Sequence, residues 1–465
     1  MDTIFAQCSG VGKSGVAVYR ISGPNSMAVL EELIKKSPKS MIPRKMYVRK
    51  IFDPVCATQI DEALVVYFRA DSSFIGEDTV ELYVHGSIAV MKLLNRALSL
   101  IKGLRLAEPG EFTKRAFLNG KFDLTAAEGL ADLIDAETEL QHKQAIRQLG
   151  GGLEKIYDGW RLQLLKIMSL IEAYIDFPDE DIPNEALLNI KNLRNSLCNE
   201  IENHLKDNNR GERLRSGIKL AIIGKPNVGK SSLMNFLFKR EMAIVSSIPG
   251  TTRDVIEGHL DIGGYPIVIQ DTAGIRDHYS DEIEQIGIIK AKEILQTSDI
   301  KVIIYDALVD YDNYEWQKDF FLPFIDKNSI IVFNKIDEVK IVDYQVEQGI
   351  DCCLKLDSNN IAMMAYDTIA ISIKTGKNLD QLLEAIRKIA ETIASPSDHP
   401  QITRERHRAQ LSNALESLKS FNIDHDLVLA AEDLRMTIKY LSNITGAITV
   451  DEILGEIFST FCIGK

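Results

Sequence analysis

Residues 221–237 read AIIGKPNVGKSSLMNFL, and Gly224, Gly229, Lys230 and Ser231 within them have the G-x4-G-K-S spacing of a phosphate-binding loop. Glycines let backbone N–H groups curl around phosphate oxygens, the lysine reaches the β- and γ-phosphates, and the serine hydroxyl is a Mg²⁺ ligand. An apolar β-type run precedes the loop and an apolar-periodic stretch follows it, so the loop opens a helix whose N-terminal dipole favours the same anion. The chain is expected to bind a nucleoside triphosphate. A second Gly-Lys-Ser, at 12–14 in CSGVGKSG, has Gln7 where the first glycine must stand, and it reads as a turn-rich loop.

The base is read further along, where IIVFNKIDEV carries Asn334, Lys335 and Asp337. A carboxylate at Asp337 accepts both the guanine N1–H and its exocyclic amine, a pair of donors that adenine lacks. Asp271-Thr272-Ala273-Gly274 follows the apolar run YPIVIQ. There the aspartate serves the Mg²⁺ shell and the Gly274 N–H faces the γ-phosphate. Ser372-Ile373-Lys374 stands where such proteins back up the base contact. Small signalling GTPases place a water-orienting glutamine after DTAG, whereas this chain has Ile275. Asp281, Glu282 and Glu284 are the acids available instead. Arg253, in PGTTRD, is either a cation near the γ-phosphate or a solvated loop residue.

These motifs need elements to hold them, and the 465-residue length allows roughly three domains. Residues 1–120 mix β-type runs (GVAVYRIS, EALVVYF, TVELYVHG) with helical stretches, the pattern of an α+β domain. Thr125-Ala126-Ala127-Glu128 reads as a capping box that opens a helical region running to about residue 175. Leu187, Ile190, Leu193, Leu197, Ile201 and Leu205 then mark an amphipathic helix. Helical patterning returns beyond residue 394, and the simplest packing joins it to residues 122–215, with a doubly wound α/β GTPase domain inserted between them. Ile457, Phe458 and Phe461 are expected to anchor the C-terminal tail.

With 45% hydrophobic and 26% charged residues, no apolar run near the roughly 18 residues of a membrane span and no secretory leader, a cytoplasmic protein without membrane contact is expected. Six scattered cysteines without CxxC spacing indicate neither a zinc site nor a disulfide framework. A net charge of −13 argues against a general polyanion binder, so any RNA contact is local or shared with a partner. The best local basic stretch is TRERHR at 403–408, whose plainer reading is a solvated first helical turn.

Several segments together carry a family resemblance: DTIFAQ…GKSGVAVYRISGP, GEDTVELYVHG, EPGEFTKRAFLNGKFDLTAAE, the GTPase motifs with IPGTTRD, and the terminal FCIGK. The chain resembles, over its whole length, the MnmE (TrmE) family of GTPases that modify the tRNA wobble uridine. The resemblance implies a homodimer with a tetrahydrofolate-binding and dimerisation domain (1–121), a helical domain in two parts (122–215 and 391–465) and an inserted GTPase domain (216–390). It also implies an FAD-dependent partner, MnmG, and an aminomethyl-type group installed at uridine C5 of tRNA. The one-carbon donor would be a tetrahydrofolate derivative, in its 5-formyl or methylene form.

By position, Arg20, Glu81, Lys121 and Lys465 match the family's folate contacts, and Cys462 matches a cysteine tied to the modification step. Asn227, Ser246, Ile248 and Thr251 match K⁺ positions, and Thr252 joins Ser231 on Mg²⁺. Val228, Ser232, Ser247, Pro249 and Gly250 complete the implied GTP contacts around these residues. Glu284 matches the catalytic glutamate when EQIGI is aligned, Glu282 being the alternative. Two rival functions stand beside it: a switch GTPase of ribosome assembly or signalling, which leaves residues 1–120 and the Cys-Ile-Gly-Lys tail without purpose, and a folate-dependent one-carbon enzyme with a regulatory GTPase, distinguished by whether folate turnover needs tRNA and the flavin partner.

Overall fold

The computed structural model describes residues 2–38, 41–176, 183–240, 258–270, 293–308, 322–338, 367–395, 397, 399–424, 426–447 and 451–464. Two units emerge: residues 1–131, 147–198 and 410–465 form one, and residues 132–146 and 199–409 the other.

Alternation builds the sheet of the first unit. In β2 (Ala17–Ser22) and β5 (Thr79–Val84), Ala17, Tyr19, Ile21, Val80, Leu82 and Val84 are buried in a core with α1 (Ser26–Ile34) and α2 (Ile88–Ser99). That is the period of two expected of strands with one face on a core. β1 (Thr3–Gln7), β3 (Tyr47–Phe52), β4 (Gln59–Phe68) and β6 (Leu104–Leu106) complete a six-stranded sheet of order β3-β4-β5-β2-β1-β6. Only the β1–β6 pair is parallel. On the opposite face Ile4, Ala6, Ile75 and Ala107 pack with Phe112 of α3 (Glu111–Leu118). This is the α+β domain read from the sequence.

The helical region beyond it is three helices: α4 (Leu124–Asp135), α5 (Glu139–Leu149) and α6 (Gly152–Asp176). The expected capping box is corrected. Thr125 lies inside α4, and the cap is Asp123, whose carboxylate accepts from the Thr125 N–H (3.1 Å), the Thr125 hydroxyl (2.7 Å) and the Ala126 N–H (2.8 Å). One carboxylate thus satisfies two of the orphan N–H groups of the first turn. The amphipathic stripe forms α7 (Asn184–Leu205), burying Ile190, Leu197 and Ile201. Arg194 donates to the carbonyls of Leu418 and Lys419, tying α7 to the end of α8, whose range is Glu405–Ser420. α6 packs along α9 (Leu427–Thr445). The tail is anchored as expected: Leu454 and Phe458 of α10 (Asp451–Ser459), with Phe461, cluster against Leu124 and Ala127.

The second unit holds a doubly wound sheet. Its strands are β7 (Ile218–Gly224), β8 (Gly258–Ile262), β9 (Tyr265–Gln270), β10 (Ile300–Asp306), β11 (Ser329–Asn334) and β12 (Asp367–Ala370), in the order β12-β11-β10-β7-β9-β8. All pairs are parallel except β8–β9. β10 and β11 are near-continuous buried runs because both sheet faces are covered. α11 (Lys230–Arg240) follows β7 directly, and α12 (Leu379–Ala394) buries Leu382, Ile386, Ile389 and Ile393 on the same face. The strand order reverses at β7, so a crevice opens at the carboxyl ends of β7 and β10, the usual ligand position in such sheets.

The TRERHR reading is also corrected. Arg404 pairs with Asp132 at 2.7 Å, Arg408 pairs with Asp207 (2.7 Å) and Glu212 (3.1 Å), and His407 is fully buried. The stretch is neither a free basic patch nor a solvated turn, because the acids of neighbouring segments consume its charge.

Candidate functional site

The phosphate loop runs from the end of β7 into the first turn of α11. Gly229 has φ +108°, and a Cβ there would stand 2.3 Å from Asn334 Nδ2, so only glycine fits. Asn227 is exposed with φ +65°, and Ser231 and Ser232 are exposed in the first turn of α11. Val228 is buried. The Lys230 ammonium donates to the carbonyls of Gly224 (2.9 Å) and Lys225 (2.8 Å), which holds it over the loop.

Asn334, 4% exposed at the end of β11, is the joint of the site. Its Nδ2 donates to the Val228 carbonyl at 2.8 Å, and its Oδ1 accepts from the Ile373 N–H at 3.2 Å. One amide therefore ties the phosphate loop to the Ser372–Lys374 segment. The Ser372 hydroxyl donates to Asp337 Oδ1 at 2.6 Å, and the Lys374 ammonium lies 3.9 Å from Asp337 Oδ2. The Ser372 hydrogen bond, aided by the Lys374 charge, holds the Asp337 carboxyl below its ordinary value, so the group is an anion with one oxygen aligned by a neighbour.

Lys335, at φ +70°, reaches Asp306 Oδ2 at 2.5 Å. Sequence reading missed Asp306. The available signal is a carboxylate ending the apolar run KVIIYD, and Asp306 pairs in register with Asn334.

Ser246, Ser247, Ile248, Pro249, Gly250, Thr251, Thr252, Arg253, Asp271, Thr272, Ala273, Gly274, Ile275, Asp281, Glu282, Glu284 and Lys465 lie outside the described residues.

A second polar cluster stands in the first unit, on the sheet face that carries Phe112. Arg20 and Glu81 are cross-strand partners in the β2–β5 register, and both Arg20 Nε and Nη2 lie 2.9 Å from Glu81 Oε1. The Tyr83 hydroxyl donates to Glu81 Oε2 at 2.8 Å, and the Arg20 guanidinium lies 5.5 Å from the Phe112 ring centroid. Tyr83 and Phe112 escaped sequence reading because their value comes from the sheet register and from α3. Burial raises the Cys8 thiol, with the Glu81 charge adding and Arg20 opposing. Lys121 follows α3, with its ammonium on the Asp71 carbonyl at 3.2 Å.

The C-terminal segment runs past this cluster. Gly110 N–H donates to the Cys462 carbonyl at 3.4 Å, Ile463 bridges to Pro109, and a Cβ on Gly464 would stand 2.1 Å from the Gln7 carbonyl oxygen and 3.3 Å from Cys8 Cα. Gly464, at φ +99°, is the residue that permits this approach. Cys462 itself is exposed. Among the described residues no helix is long and apolar enough to cross a membrane, and no cluster of three or more His, Cys, Asp or Glu forms a metal site.

Comparison with known proteins matches the chain over nearly its whole length. The family model of the GTP-binding protein TrmE N-terminus matches residues 3–121, and that of the MnmE helical domain matches residues 124–462. The chain is 54% identical to the tRNA modification GTPase MnmE of Rickettsia canadensis (strain McKiel) over 468 residues, covering 100% of both chains. It is also 54% identical to that of Rickettsia bellii (strain RML369-C) over 470 residues, again with 100% of both covered. Among solved structures, the G domain of the T. maritima FeoB iron transporter is 28% identical with a TM-score of 0.26, covering 37% of this chain and 98% of that one.

Proposed function

The chain belongs to the MnmE family of tRNA modification GTPases, and from that premise we propose that it hydrolyses GTP at the 216–390 site in the service of tRNA wobble-uridine modification. The observation that carries this reading is the Asn334–Ile373–Ser372–Asp337 network, an anionic acceptor aligned for guanine and mechanically joined to a phosphate loop. Asp337 accepts from the guanine N1–H and amine. Lys230 leaves the loop carbonyls for the β/γ-phosphate oxygens, a lysine being a mobile point charge suited to that exchange. Glu284 orients the attacking water in place of the absent glutamine.

The described residues suit the ions proposed for this site. The exposed Ser231 hydroxyl is a hard oxygen ligand of the kind Mg²⁺ takes, and Asn227, also exposed, has an amide oxygen of the kind that suits K⁺; Thr252 is proposed as a further Mg²⁺ ligand and Ser246, Ile248 and Thr251 as further K⁺ ligands. Bound there, the two cations would supply charge stabilisation for the phosphoryl transition state.

In the first unit the proposed ligand is a tetrahydrofolate. Its aminopyrimidinone edge offers a donor pair to Glu81, which retains acceptor capacity beside its bonds to Arg20 and Tyr83. The Phe112 ring centroid lies 5.5 Å from the Arg20 guanidinium. Lys121 and Lys465 would supply positive charge for the folate carboxylates, and the run of Gly464 along Cys8 supports a role for Cys462 beside this pocket. A homodimer, the FAD-dependent partner MnmG, a tRNA substrate and a cytoplasmic location complete the proposal.

The test is GTP hydrolysis by the full chain in KCl and NaCl buffers of equal ionic strength. Strong stimulation by K⁺ supports a cation-assisted GTPase, and equal rates refute it. Modification of tRNA reconstituted with the flavin partner and a folate, but not with either omitted, tests the rest.

A further inference from the structure

Residues 33–52 hold seven lysines and arginines and no acid, in a chain whose net charge is −13. Lys39 lies outside the described residues. Lys35 and Lys36 close α1, Arg44 and Lys45 precede β3, and Arg49 and Lys50 are on β3, an edge strand of the first unit's sheet. All six are exposed except Arg49, which is half-buried.

Pairing separates these cations from the others of their domain. Of the arginines in residues 1–131, Arg20, Arg69, Arg96, Arg105 and Arg115 each have a carboxylate oxygen within 3.8 Å. Arg44 and Arg49 have none among the described residues, and donate instead to the carbonyls of Ser72 and Val48, each at 2.9 Å. Glu62 stands opposite Lys50 in the β3–β4 register and offsets it. Glu31 is one turn before Lys35 on α1, yet the Lys35 ammonium lies over the Phe52 ring, 5.4 Å from its centroid.

Tyr47 gathers two of the remaining charges. Its hydroxyl accepts from the Ile42 N–H at 2.9 Å, which fixes the ring, and the Lys45 ammonium and Arg49 guanidinium lie 5.9 and 5.0 Å from its centroid. The two cations are thus held within about 11 Å of each other, with no acid paired to either among the described residues. Each contact with the ring stabilises its cation, but the charges repel one another, and an anion that meets both relieves the repulsion.

We propose that this edge of the first unit binds the phosphate backbone of tRNA, with Lys35, Lys36, Lys45 and Arg49 as the phosphate contacts. That the RNA is a tRNA rests on the function proposed above. A nucleic-acid backbone carries a charge every few ångströms and meets several such cations at once. Residues 33–52 contain no Asn, Gln, Asp or Glu, the side chains that read adenine and cytosine edges, so the surface serves to position RNA rather than to read it. Cations along an edge strand also discourage a further strand from pairing there, which favours a polyanion over an extended peptide.

The test is binding of an unmodified tRNA transcript to the full chain, followed by fluorescence anisotropy over a range of KCl concentrations, with GTP hydrolysis on the same samples as a check on folding. At about 0.15 M salt each lost phosphate contact costs about 4-fold, so Lys45→Ala with Arg49→Ala should weaken binding about 10-fold or more and make the slope of log affinity against log salt shallower by about one to two. The Lys45→Arg, Arg49→Lys exchange should keep the affinity. Lys327→Ala with Lys388→Ala, an equal loss of charge at exposed positions of the other unit, should leave most of it. With the flavin partner present, the Lys45→Ala, Arg49→Ala chain should show a raised KM for tRNA and an unchanged kcat for modification. Equal weakening by the two alanine pairs, or unchanged binding in the first, overturns the proposal and leaves the tRNA-modification reading standing. A parent chain that binds RNA through this edge but modifies no tRNA supports the edge and refutes that reading instead. If the Lys45→Ala, Arg49→Ala chain loses binding to phosphatidylglycerol vesicles while its tRNA affinity is unchanged, the edge belongs to a membrane surface and the proposal falls.

Discussion

Replacing Asp337 by asparagine tests the base reader at a single atom. The Ser372 hydroxyl accepts from the Thr375 N–H at 3.1 Å and spends its only proton on Asp337 Oδ1 at 2.6 Å. In the Asp337→Asn chain that proton keeps an acceptor only if the new carboxamide oxygen takes the Oδ1 position. The NH₂ group then stands where Oδ2 was, on the side of the Lys374 ammonium. Guanine presents two donors to this edge, so one hydrogen bond to an anion becomes a donor–donor contact and the other loses its charge. Losing a hydrogen bond to a charged group costs about 10- to 100-fold, and two such losses predict GTP binding weakened by about 10²- to 10⁴-fold. Xanthine carries a carbonyl in place of the amine and accepts from the new NH₂, so XTP should bind better to the variant than GTP does. Competition binding with a fluorescent nucleotide measures both. GTP affinity within about threefold of the parent, or no gain for XTP, would refute the assignment of Asp337 and the orientation imposed by Ser372.

Glu81→Gln should remove saturable folate binding by the first unit while GTP hydrolysis persists, because the two polar networks share no residue; retained folate affinity, read by fluorescence quenching, would end that site's assignment. Glu284→Ala should lower GTP turnover by about 10²-fold with nucleotide binding kept, and the same loss from Glu282→Ala instead would move the role two residues. Cys462→Ser should abolish tRNA modification and leave hydrolysis intact, whereas a parallel loss of both would make the thiol structural. Arg115, 6% exposed, holds Asp2, Glu77 and Glu111 together. Arg115→Ala strands the nearly buried Glu77 carboxylate, while Asp2 and Glu111 keep Arg105, and should destabilise the first unit by about 3 kcal/mol in denaturant titrations; a loss under about 1 kcal/mol would contradict the burial argument.

What was legible from sequence is what rests on spacing. The phosphate loop, the base reader and the alternating strands are local patterns, and each lands on the element its period demands. The misreadings have a common physical origin. Thr125 looked like a cap because its offset to Glu128 is right, yet Asp123, two residues earlier, offers two carboxylate oxygens and takes both N–H groups. Arg404 and Arg408 looked solvated because their partners, Asp132, Asp207 and Glu212, lie some 190 to 270 residues away along the chain. No window of sequence contains both halves of such a pair.

Asp306 marks where the boundary falls. By itself it is an acid at the end of an apolar run, with nothing to distinguish it from a strand-terminating turn. Once the order β12-β11-β10-β7 is known, β10 must lie between the phosphate-loop strand and the base-reader strand, and parallel pairing sets Asp306 opposite Asn334. The residue after Asn334 is Lys335, and the ion pair with Asp306 follows from topology and register together. The same reasoning accounts for Asn334. Its motif position suggests a contact with the base, but its hydrogen bonds run to the backbone of two other loops, Val228 and Ile373. Its role in this fold is to fix the distance between the phosphate-binding and base-reading halves, so truncating it should weaken every guanine nucleotide alike, whereas altering Asp337 should change which base is chosen.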